Sequence, residues 1–108
     1  MKTATLVAKL PSARTDARVY ELSESMTWHR WDGDKEKEEL ATHVVVSAAV
    51  VPFGGPETYI FPAGKDEGGD WQIADWLELE GSFRGGLDHA EALRRAGYEV
   101  AASQKAQP

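Results

Sequence analysis

The sequence has no cysteine at all, and that absence removes disulfides, a thiol nucleophile, iron–sulfur ligation and any thiolate zinc site. No hydrophobic run reaches the length needed to span a bilayer. The N-terminal segment opens with Lys2, as a secretory leader would, but Lys9 and Pro11 break its apolar stretch too early for an h-region. Clustered cations are missing too: 12 basic residues stand against 18 acidic ones, for a formal charge of −6. That balance disfavours nucleic acid, because gripping a phosphate backbone requires grouped Lys and Arg. A cytoplasmic chain with no membrane partner is the expectation.

What is present suffices for a self-standing core. A length of 108 residues with a 42% apolar share fits one domain, expected over residues 1–101, with residues 102–108 as a flexible tail. The most ordered stretch is HVVVSAAVVPFGGPETYIFPA, residues 43–63. Its β-branched run (Val44, Val45, Val46, Val50, Val51) and the run from Thr58 to Phe61 are separated by Gly and Pro punctuation. That pattern predicts adjacent antiparallel strands with Val44, Val46 and Val50, or their alternates, buried. Upstream, residues 3–10 alternate weakly and residues 12–16 form a polar turn. Between residues 18 and 31, Tyr20, Leu22, Met26 and Trp28 share one face against Glu21, Ser23, Ser25, Thr27 and His29. Asp32-Gly33-Asp34 is turn chemistry, and residues 35–40 read as the exposed loop of a long hairpin, with one helical turn as the alternative.

Downstream, residues 64–75 carry three glycines and four acids and read as a mobile loop. Residues 76–80 alternate and predict a fifth strand. Residues 88–96 predict the one helix. Asp88 is its N-cap, with Glu91 completing a capping-box pair. Arg94 and Arg95 complement the dipole in the last turn, and Gly97 stands at C′. Residues 98–101 suggest a last short strand. The expected fold is therefore α+β, an antiparallel sheet of about five strands with one C-terminal helix packed on one face.

Motifs for chemistry are incomplete. Gly81 and Gly86 have the outer spacing of a phosphate loop, but Leu87 and Asp88 stand where Lys and Ser or Thr belong. Asp32, Asp34 and Glu36 resemble the opening of a calcium loop, yet Lys37 and His43 occupy its glycine and glutamate positions. His29, His43 and His89 are not spaced as metal ligands and read as surface or strand-end residues. Glu57 reads as a solvated turn glutamate. No catalytic residue, cofactor or metal is expected.

Charge and aromatics supply the positive signal. Acids concentrate in residues 32–40 and 64–81, and four tryptophans fall in two pairs, Trp28 with Trp31 and Trp71 with Trp76. The spacing of the first pair puts Trp28 and Trp31 on opposite strand faces. Indoles supply large contact area and are enriched at binding hot spots. The candidate partner-binding residues are thus Trp31, Asp66, Glu67, Asp70, Trp71 and Arg84. The wording from THVVVSAAVVPFGGPETYIFPA through WLELEGSFRGGLDHAEALRRAGYEV, residues 42–100, resembles short proteins encoded by phages of actinobacteria that have no assigned activity. The resemblance implies a viral origin and a place in the host bacterial cytoplasm or a virion. The expected function is a small non-enzymatic protein that binds a host or phage protein. A self-associating virion component and a compact enzyme using a histidine beside a carboxylate are the alternatives.

Overall fold

The computed structural model describes residues 1–11 and 15–101. Most of the expected turn at residues 12–16 and the whole of the expected tail at 102–108 lie outside the described residues. In chain order the elements are β1 (Thr3–Leu10), β2 (Asp16–Asp32), β3 (Lys35–Val51), β4 (Gly55–Lys65), β5 (Trp71–Ile73), β6 (Phe83–Arg84), α1 (His89–Arg95) and β7 (Glu99–Val100). The sheet runs β5-β4-β3-β2-β1-β7, with β6 also on β4. The fold is mostly β with one short C-terminal helix among the described residues. The five-stranded antiparallel expectation is corrected in two ways: seven strands take part among the described residues, and β7 pairs parallel to β1.

The β2–β3 hairpin turns through Gly33 and Asp34 and zips from Asp32↔Lys35 to Asp16↔Ala48. Residues 35–40 are accordingly strand, not loop. The alternation on β2 is borne out, because Tyr20, Leu22 and Met26 are buried on one face with Trp28 packed beside them. Val44, Val45 and Val46 are all fully buried, since both faces of the sheet are covered at this point. Val44 and Val46 join the main cluster with Ile60, Leu79, Ala92, Leu93, Ala96 and Tyr98. Val45 faces a smaller cluster with Ala17 and Val19, against which Leu10, Trp71 and Ile73 pack. Val50 is 66% exposed, beyond the reach of the helix.

A register shift between Leu6 and Ala8 explains the weak alternation of β1. Leu6 serves the main cluster and Ala8 the smaller one, so a bulge at Val7 switches the strand from one face to the other.

The predicted strand at residues 76–80 does not form. Trp76 packs edge-on to Phe61 with centroids 5.3 Å apart, whereas Leu79 enters the main core. Because this segment crosses the β4 edge from one face to the other, it cannot run alongside as a ladder. It still satisfies that edge: Ala74 N–H donates to the Pro62 carbonyl and Leu79 N–H to the Ile60 carbonyl, both at 2.8 Å. Ile60 N–H donates to Ser82 Oγ at 2.8 Å. The crossing ends at Gly81 (φ 104°), where a Cβ would lie 2.4 Å from the Ala92 carbonyl oxygen and 2.8 Å from Ile60 Cδ1. Only glycine fits between β4 and α1.

The helix follows its local signals. Asp88 Oδ1 accepts from Glu91 N–H at 3.0 Å. At the other end Gly97 N–H donates to Arg94 O and Tyr98 N–H to Leu93 O, a Schellman closure. The capping box stays open, because the Glu91 carboxylate takes Arg94 and Arg95 at 2.7 and 3.0 Å and Asp88 N–H donates to Thr58 Oγ1 instead.

Candidate functional site

Past Met26 and Ala41 the β2–β3 hairpin leaves the core and continues to its tip, on the order of 20 Å at 3.3–3.4 Å per residue. Almost every residue of this arm is exposed. The pairs Thr27↔Leu40, His29↔Glu38 and Trp31↔Glu36 put these six side chains on one face. Trp28 belongs to the opposite face and packs on the main cluster, so the Trp31 face points away from it. Trp31 is 68% exposed and Leu40 66%. The indole and the isobutyl group flank His29, whose Nδ1 lies 3.4 Å from Glu36, with Glu38 alongside.

The other face of the arm is laced by ion pairs, Arg30 Nε to Glu39 at 2.8 Å and Lys37 Nζ to Asp32 at 2.9 Å. Exposed pairs of this kind contribute about 0–1 kcal/mol each. The arm is therefore held chiefly by continuity with the sheet, and its charged flanks guard the unpaired edges against indiscriminate strand addition.

The remaining candidate residues do not join Trp31. Asp66, Glu67 and Asp70 form an exposed turn between β4 and β5. Asp66 Oδ1 accepts from Gly68 N–H and Asp70 N–H, both at 2.9 Å, which organises the turn itself. Trp71 lies in strand β5, not in a mobile loop. It is half-buried against the smaller cluster, 4.5 Å from the His43 ring and 4.8 Å from Lys65 Nζ. Arg84 sits on β6, paired in register with Glu57. Glu57 is opposite Ala49, whereas Trp31 is opposite Glu36, so Arg84 and Trp31 are roughly 40 Å apart along the sheet.

Sequence reasoning missed three features. Glu57 is buried, not solvated. Its carboxylate accepts from the Tyr59 hydroxyl and pairs with Arg84 Nε at 3.2 Å, and the Tyr59 phenol is pushed up by that hydrogen bond. With both oxygens occupied, Glu57 clamps β6 onto β4 rather than offering a free acid. His89 is buried rather than exposed, with Nε2 donating to the Asp16 carbonyl at 2.7 Å. Phe53, in the β3–β4 turn, is fully exposed with a left-handed φ of 64°. Pro52 before it and two glycines after it were the available turn signal.

Beside Trp71 lies a cleft of about 540 Å³, walled by Leu10, Ala17, Ile73, Trp71 and Trp76. Among the described residues no group of three or more His, Asp or Glu side chains is gathered for a metal ion, and no helix is long and apolar enough to cross a membrane. No family model, curated protein or solved structure matches the chain.

Proposed function

We propose that the protein works by docking onto another protein, of host or phage, rather than by catalysis, and that the β2–β3 arm is the docking element. One observation carries this reading: Trp31 and Leu40 stand exposed on the same outward face of an otherwise largely charged hairpin. A tryptophan held out at 68% exposure contributes little to the fold, while indoles are enriched among hot-spot anchors in interfaces. The chemistry of the partner follows from the surroundings. Glu36 and Glu38 share the face, and Asp32 and Asp34 lie at the tip. The complementary surface is a basic patch around an apolar pocket, the cations steering encounter and the pocket retaining the indole.

The test is affinity capture from actinobacterial lysate with wild-type and Trp31→Ala baits, followed by titration of any captured protein. The expected result is a partner retained by the wild type and lost or weakened about 30-fold by Trp31→Ala, the size of a ~2 kcal/mol hot spot, with melting unchanged. Identical recovery by both baits overturns the assignment.

A further inference from the structure

At the end of β3 opposite the arm, the chain turns through Val51, Pro52, Phe53 and Gly54, closed by Gly54 N–H to the Val51 carbonyl at 2.9 Å. Phe53 takes the position of this turn that calls for positive φ and is ordinarily filled by glycine. It holds φ 64° with its ring fully exposed. A bulky side chain in that conformation is strained, and neither core packing nor the backbone rewards it there. Strain of this kind collects at binding sites. Val50 beside it is also exposed, and residues 44–56 carry no charge. The turn is an uncharged apolar knob.

The molecule also has a matching socket. The cleft between Trp71, Trp76, Ile73, Leu10 and Ala17 has a volume of about 540 Å³, and none of the described residues that line it is charged. In a chain of net charge −6, two copies repel over most of their surfaces. A knob and a socket that carry no charge among the described residues are where they can meet without burying carboxylates. The knob cannot enter its own socket, because Ser47 of β3 lines the cleft and the same strand carries Phe53 outward from it.

We infer that the protein self-assembles head to tail, the Phe53 turn of one copy seating in the Trp71–Trp76 cleft of the next. The two surfaces differ, so the contact is heterologous and propagates into a ring or an open filament instead of stopping at a dimer. This contact is separate from the arm and leaves Trp31 free for a different partner.

The experiment is analytical ultracentrifugation of the full chain across concentration, with three variants. Wild type should show a mass rising above that of a dimer. Phe53→Gly, which relieves the turn, should remain monomeric while melting at or above the wild-type temperature. Trp76→Asp, at a side chain 74% exposed, should also be monomeric alone. Mixed, these two variants should form a 1:1 heterodimer that grows no further, since each retains one half of the contact. Trp31→Ala should assemble like the wild type. The inference is overturned by a wild type that stays monomeric at several hundred micromolar, by Phe53→Gly assembling normally, or by the two variants failing to pair.

Discussion

Replacing Gly81 by alanine should damage this fold more than any other single added methyl group. The new Cβ would lie 2.4 Å from the Ala92 carbonyl oxygen, 2.8 Å from Ile60 Cδ1 and 3.0 Å from Ala96 Cβ. The first of these is helix backbone, which cannot turn aside as a side-chain end can. Relief requires α1 to lift from β4, which opens the contact of Leu93 and Ala92 with Ile60 in the main core. Overpacking of this kind costs about 1–3 kcal/mol, and an L-residue held at positive φ adds about 1–3 kcal/mol. A total near 4 kcal/mol is a large part of the 5–15 kcal/mol that stabilises a typical domain. At 4–8 °C per kcal/mol the midpoint should fall by about 15–30 °C. Gly33→Ala is the control, since Gly33 has φ 71° but nothing within 4 Å of its would-be Cβ. It bears the conformational cost alone, about 1–2 kcal/mol. Thermal unfolding followed by circular dichroism compares the two. A Gly81→Ala midpoint no lower than that of Gly33→Ala would refute the close-approach argument.

Three further outcomes follow. Asp88→Ala should cost about 0.5–2 kcal/mol in urea unfolding through loss of the N-cap bond, with no effect on self-association. Trp71→Ala should destabilise by about 2–3 kcal/mol, less than a full aromatic truncation because the ring is half-buried; unchanged melting would return Trp71 to the binding surface. The His89 imidazole is pushed below its ordinary value of 6.5, first by burial, so the unfolded chain takes up that proton first. Its contribution is complete above pH 6.5 and is lost as pH falls from there through the folded-state value. Melting temperatures between pH 7 and 5 should therefore fall more steeply in wild type than in His89→Gln.

The helix was legible because its signals are local: Asp88, Arg94, Arg95 and Gly97 all act within one or two turns of themselves. The β2 pattern was legible from Tyr20 onward because there only one of its faces is deeply buried, whereas at Ala17 and Val19 the smaller cluster covers the other face. Where both faces are covered, as at Val44 to Val46, alternation disappears, and where a bulge changes the face, as at Val7, it reverses partway. Residues 76–80 alternate like a strand, yet they cross an edge, which depends on what Phe61 and the core have vacant. The β3 side of the arm, residues 35–40, was read as loop because it buries almost nothing and leaves no apolar periodicity, only Lys and Glu. His89 and Glu57 look like surface residues until the fold brings Asp16, 73 positions away, and Arg84 against them. Of the candidate site, Trp31 was visible from its spacing with Trp28, whereas its companion Leu40 required the register of the hairpin.

The most direct test of the arm as a docking element is a paired measurement on wild type and Trp31→Ala, giving the dissociation constant for a captured partner and the melting temperature. The account predicts binding about 30-fold weaker and a midpoint within about 2–4 °C of wild type. Equal affinity, or a loss of affinity matched by a loss of stability, would contradict it.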